Sequence, residues 1–316
     1  MPPSGGGLGA AESWGRHQAG ASASVPRTRS RWAAIIGVAL LLSLLTGCSA
    51  LRLGYSQGPT IAYWWLDSYL DFDSTQKQPV RDALGQWFAW HRKTELPQLA
   101  AILDRAAVDV MSDATTAQAC RWSDEIRLRL DAAVEHALPG AAEVALLLRP
   151  EQLDALRKRQ ARANEEFREE YMQPRPEARA KADLERAVER SEMLYGRLDA
   201  AQRERFAQII AASPFDPERW LAERQRRQRD LLQALQQIQS AGLGRAEALA
   251  ALRGYWQRAR RSPDEIYGRY AQQLNAYNCA AAAQLHNLTT PAQREHARAR
   301  LRGWEADLRA LASSTS

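Results

Sequence analysis

The sequence predicts an all-α protein, an array of antiparallel helical hairpins with no sheet. Three observations carry that prediction. From Pro59 onward apolar residues return at the roughly 3.6-residue period of a helix. No stretch alternates apolar and polar residues between turn signals, as a half-buried strand would. One four-residue helix-start signature also recurs along the chain.

The first element is a leader. Arg27, Arg29 and Arg31 form a positive region, Trp32 to Leu45 is an apolar run, and Leu45-Thr46-Gly47-Cys48 is a small-residue cleavage site ending on cysteine. A membrane span needs about 20 apolar residues, so this run is too short to be one. The segment resembles a bacterial lipoprotein signal, which implies a peptide of residues 1–47 removed before an acylated Cys48. Residues 1–24, rich in Gly, Ala and Ser, are unlike a normal leader and fit a misassigned start or an extra extension. Residues 48–58 form a tether, and Ser49 in place of Asp is the residue that in lipoproteins of this kind favours the outer membrane.

Residues 59–316 form the helical domain. Ile61, Trp64, Trp65, Tyr69 and Leu70 open it; Val80, Leu84, Trp87, Phe88 and His91 continue at helical spacing, followed by Leu99, Ile102, Leu103, Ala106 and Val110. Trp122, Ile126, Leu130 and Val134 make the next stripe, and Pro139-Gly140 is read as a break. Leu153, Leu156, Ala163, Phe167 and Tyr171 define a long helix ended by Pro174 and Pro176. Leu184, Val188 and Tyr195 come next, then Phe206, Ile209 and Ile210. After Pro214 to Pro217 follow Trp220, Leu231, Leu235 and Ile238, stopped by Gly242 and Gly244. Leu249 to Trp256, Ile266 to Leu285, and Leu301 to Leu311 complete the set. The prolines near 174–176 or 214–217 leave open a division into two subdomains.

The recurring signature is Asp73-Ser-Thr-Gln76, Thr115-Thr-Ala-Gln118, Asp199-Ala-Ala-Gln202, Thr290-Pro-Ala-Gln293 and the cognate Ser262-Pro-Asp-Glu265, with Leu148-Arg-Pro-Glu-Gln152 a variant lacking a capping side chain. In each, an N-cap oxygen can accept from the N3 amide while the N3 side chain reaches back, contributing about 1 kcal/mol per cap. The signature also resembles the LTxxQ repeats of periplasmic Spy-like stress chaperones, which are all-helical and cradle unfolded clients. Its spacings are too irregular for a solenoid of fixed period.

Charge and cysteine content narrow the function classes. Lys and Arg number 43 against 37 Asp and Glu. The segment 1–47 carries Arg16, Arg27, Arg29 and Arg31 against Glu12, so the chain beyond it is only mildly basic. Mixed signs fit solvated helix faces rather than a nucleic-acid patch. Cys120 and Cys279 are the cysteines besides Cys48. In an oxidising compartment they could pair, or equally remain buried thiols. No CxxC or Cys/His cluster suggests a metal, and no glycine-rich phosphate loop suggests a nucleotide cofactor.

Four constellations could carry chemistry. Gly54-Tyr55-Ser56-Gln57-Gly58 matches a nucleophile elbow at Ser56, but that device needs a strand before it. His91 and Glu95 share one helical face at ligand spacing, against a core histidine as the ordinary reading. Glu165, Glu166, Glu169 and Glu170 could raise a carboxyl pKa by repulsion, or form a salt-bridged face with Asn164 as a buried polar residue. Ser191-Glu192 has the reverse order of the Glu-Ser pair of lytic transglycosylases, as a peptidoglycan-active hydrolase of that class would carry it.

Leu51-Arg-Leu-Gly-Tyr55, Trp64-Trp-Leu-Asp-Ser-Tyr-Leu-Asp71, Trp90-His-Arg-Lys-Thr-Glu-Leu-Pro97, Asn164-Glu-Glu-Phe-Arg-Glu-Glu-Tyr171 and Trp220-Leu-Ala-Glu-Arg224 together resemble proteobacterial lipoproteins of domain-of-unknown-function family 6279. The resemblance spans nearly all of the chain after Cys48 and implies an all-helical lipoprotein without naming a reaction. The expectation is therefore a non-enzymatic protein anchored by lipid in the outer membrane, facing the periplasm and binding an envelope protein. A Spy-like client-binding chaperone is the alternative, and a peptidoglycan hydrolase is a third. No cofactor and no nucleic acid are expected as partners. Of ten tryptophans, eight follow Gly47 and are read as core, with a concave apolar binding face as the other possibility.

Overall fold

In a computed structural model the described residues are 50–314, and they form eleven helices and no strand. The expected leader and the expected acylation at Cys48 fall outside the described residues. A short α1 (Ala50–Ser56) runs almost without interruption into α2 (Gly58–Leu70). Then come α3 (Lys77–Asp109), α4 (Thr116–Leu147), α5 (Pro150–Tyr171), α6 (Pro176–Tyr195), α7 (Ala200–Ala211), α8 (Pro217–Ser240), α9 (Arg245–Arg260), α10 (Glu265–Asn287) and α11 (Pro291–Ser313).

The largest core cluster joins α2, α3, α4, α5, α8 and α9 through Tyr63, Val80, Leu138, Ala142, Leu153, Leu156, Leu235, Ile238 and Leu252. A second element of the architecture is the long antiparallel pair of α3 and α11. Leu96 and Ala100 meet Leu308 and Leu311, while Ala107 and Val110 meet Ala297 and Leu301 further along. Helix α4 runs antiparallel to α3, α9 and α10, as the contacts Trp87 to Ala133, Arg253 to Glu135 and Arg127 to Asn275 show. A disulfide joins Cys120 at the start of α4 to the buried Cys279 of α10. The described residues form one compact unit, within which Pro176 and Pro217 are the first residues of α6 and α8.

Two sequence expectations need correction. Pro139-Gly140 does not break the chain: both lie inside α4. An internal proline costs about 3 kcal/mol. Here burial of Leu138, Ala142 and Ala145 on either side outweighs it, and Gly140 lets the helix approach Ala83, where a Cβ would stand 3.2 Å from the Ala83 side chain. The apolar stripes also do not all face inward. Ile126 and Leu130 are about half exposed, Trp64 and Trp65 are 63% and 60% exposed, and none of the eight tryptophans is fully buried. Periodicity finds an apolar face but not whether another element covers it.

Helix starts follow local chemistry. Thr115, Asp199 and Thr290 each accept from the N–H three residues on, while Gln118, Gln202 and Gln293 accept from the cap's own N–H. Asp73 and Gln76 make the same reciprocal pair across a turn just before α3. The fifth expected box is not formed. Asp264 caps α10, accepting from Ile266 and Tyr267 N–H, whereas Ser262 Oγ donates to buried Glu223 at 3.1 Å. A carboxylate two residues later is the stronger acceptor for the same helix end, and Ser262 is drawn into the ion network of α8.

Candidate functional site

The glutamines of the repeated signature do more than cap. Gln76 and Gln152 form a closed amide pair, each Nε2 donating to the other's Oε1 at 2.9 and 2.8 Å. Gln76 Nε2 also donates to Leu147 O, and Gln152 Nε2 to Leu70 O and Asp71 O. Gln202 and Gln293 repeat the device at 2.7 and 3.0 Å, with Leu288 O and Arg197 O as the further acceptors. A third reciprocal pair, Asn164 with Gln228, joins α5 to α8. Gln118 alone stays within its own box. These pairs satisfy helix ends and hold distant segments together; as amides in closed rings they offer no proton or nucleophile.

Asp73 is an ionisable member of this set. The Thr75 hydroxyl, the amides of Thr75 and Gln76, and Arg149 hold its carboxyl down to about 2. The folded-state pKa lies below the unfolded one, so this contribution is complete above about pH 4 and is lost as pH falls toward 2. Acid titration of unfolding should therefore show a steeper loss between those values for the native chain than for Asp73→Asn. Equal slopes would assign the acid sensitivity elsewhere.

The other sequence candidates are dispersed. Ser56 is exposed on α1 and donates to Leu53 O, with no strand before it. His91 shares a 2.9 Å hydrogen bond with Tyr55 and stacks on Trp87, and burial lowers its pKa. Glu95 is buried and faces Arg129 across 3.7 Å rather than joining His91 in a ligand set. Among the described residues no group of three or more His, Cys, Asp or Glu is arranged to hold a metal. Glu165 pairs with Arg168 and Glu166 with Arg159 on a solvated face. Ser191 donates to Ala187 O, and Glu192 accepts from Leu198 N and Arg203, which hold its carboxyl below the usual range. A general acid for glycosidic cleavage needs the opposite shift.

An open groove of about 1170 Å³ lies between α5, α6, α7, α8 and α10. Its apolar floor is a chain of rings. Phe167 stacks on Tyr171 at 4.7 Å, Tyr171 meets Phe215 edge-on at 6.2 Å, and Phe215 lies 6.1 Å from the 39% exposed Trp220. Arg186 sits 4.3 Å over the Tyr171 ring, and Arg224 lies over Phe167. Burial, then the neighbouring Glu170, raises the Tyr171 pKa, so its hydroxyl stays protonated.

Charge on the groove wall is unbalanced. Arg179, Lys181, Arg186, Arg190 and Arg224 outnumber Glu166, Glu170 and Asp183. Arg179, Arg190 and Arg224 have no carboxylate within salt-bridge distance among the described residues; they donate to the main-chain oxygens of Gln173, Arg186 and Ala163 instead. An aromatic floor rimmed by such guanidinium groups can take a ligand that is apolar in part and anionic in part. Arg179, Arg186 and Arg190 recur at i, i+7 and i+11 on one face of α6, opposite Leu184 and Val188, but a charged helix face is ordinarily solvated, and only packing of α5, α6 and α8 brings that face and Arg224 against the rings.

The profile of a family described as a family of unknown function (DUF6279) matches residues 68–257. No curated protein and no solved structure matches. Among the described residues no helix is long and apolar enough to cross a membrane.

Proposed function

The chain belongs to the DUF6279 family, whose function is unknown, and from that premise we propose a non-enzymatic interaction protein. It is held at the periplasmic face of the outer membrane by acylated Cys48, and its groove receives a segment of an envelope protein bearing apolar and acidic side chains. One observation carries the reading. Two segments that carry the family resemblance, Asn164 to Tyr171 on α5 and Trp220 to Arg224 on α8, pack side by side and supply Phe167, Tyr171, Trp220 and Arg224 to the groove. The lipoprotein leader and the disulfide, which suits an oxidising compartment, support the location.

The test is crosslinking in intact envelopes followed by capture of the native chain, Trp220→Ala and Arg190→Glu. A central aromatic anchor is worth about 2 kcal/mol, so each variant should weaken a specific partner roughly 30-fold. A short list that both variants empty supports the groove. A partner list indifferent to both rejects it, and a broad, stress-dependent list favours a client-binding chaperone. Muropeptide release from sacculi would identify a hydrolase instead.

A further inference from the structure

The exposed surface of α1 and α2 differs in kind from the rest of the molecule. Between residues 51 and 68 the exposed positions are Leu51, Leu53, Gly54, Ser56, Gln57, Thr60, Ile61, Trp64, Trp65 and Ser68. None carries a charge, in a chain of which 25% of residues are Asp, Glu, Lys or Arg. Ile61, Trp64, Trp65 and Ser68 follow i, i+3, i+4, i+7 and share one face of α2; Gln57 and Leu53 extend the same stripe back into α1. Ile61, Trp64 and Trp65 are 51%, 63% and 60% exposed.

The opposite face is fixed firmly to the fold. Tyr63 is buried, Arg52 pairs with the buried Asp307 at 2.6 Å, and Tyr55 bonds His91. Gly58 packs so closely on the Phe88 ring that a Cβ would come within 2.4 Å of it. The apolar stripe is thus presented by a rigid support. It cannot turn inward.

We infer that this stripe is a bilayer-contact surface, with Trp64 and Trp65 seated among lipid headgroups and α1–α2 lying in the plane of the interface. The occupant follows from position. Cys48 stands two residues before α1, so lipid carried there would hold the start of α1, and with it the near end of this stripe, at the bilayer surface. Indole rings with an apolar body and one N–H donor favour that boundary. The inference rests on the membrane-anchored reading for its setting, but the surface is measurable without the anchor.

The experiment uses the secreted Cys48→Ala form of the chain and vesicles of phosphatidylethanolamine and phosphatidylglycerol, with partition read by cosedimentation. Trp64→Ser/Trp65→Ser should lower partition roughly 100-fold, about tenfold for each indole withdrawn. Ile266→Ser, which removes a 65% exposed side chain elsewhere, should leave it unchanged. The inference is overturned by the absence of vesicle binding, by equal partition of the double variant and the native sequence, or by self-association that the tryptophan variants abolish. Acylation of Cys48 is read separately, from the mass of protein extracted from envelopes. Failure of the anchor and failure of the surface are therefore distinguishable.

Discussion

Chains carrying Cys120→Ser and Cys279→Ser unfold at markedly lower urea than the native protein, with a loss of about 3–5 kcal/mol. The bond joins residues 159 apart and ties the start of α4 to α10. Chain-entropy arguments place most of the effect in the unfolded state, where cutting the bond frees a long loop. Reductant should reproduce the loss in the native sequence and do nothing further to the double variant. Identical urea midpoints for oxidised and reduced protein would show that α4 and α10 are held by packing alone.

Gln76→Ala is expected to cost about 3 kcal/mol, far beyond the usual effect of a glutamine substitution. Gln76 is 2% exposed, and its loss takes the partner from Leu147 O and from the Asp73 N–H and opens the ring with the buried Gln152 amide. Each orphaned buried group costs about 1–3 kcal/mol. Gln152→Ala damages the same ring. In a double-mutant cycle by chemical denaturation the two should be non-additive by more than about 1 kcal/mol. Additive losses would mean that each glutamine acts only as a cap for its own helix.

Much of the fold is legible in the sequence because helices are encoded locally. Apolar spacing marks the helix bodies, and Asp199-Ala-Ala-Gln202 or Thr290-Pro-Ala-Gln293 marks where they begin. What those glutamines grip is not local: Gln76 lies 76 residues from Gln152, and Gln202 lies 91 from Gln293. The same limit explains Pro139, whose local signal is a break until tertiary contact on both sides keeps the helix running. For Trp64 and Trp65 the pattern shows an apolar face on α2 but not that Tyr63, on the other side, is the residue turned inward. In the groove, Phe167 and Tyr171 stand on a visible stripe. Arg179 and Arg190 share the charged face of α6, about three turns apart, but that this face meets the rings of α5 and α8 rather than solvent appears only in three dimensions.

The pairing of α3 with α11 sets a schedule. Arg302 of α11 meets Asp104 of α3 across 198 residues of chain, and the Leu96, Ala100 and Ala107 surface has α11 as its cover. A polypeptide emerging from ribosome or export channel with its amino end first must display that surface until the last helix arrives, so folding waits on length rather than on local speed. Until α11 has been made, the apolar face of α3 stands open to contact with other chains.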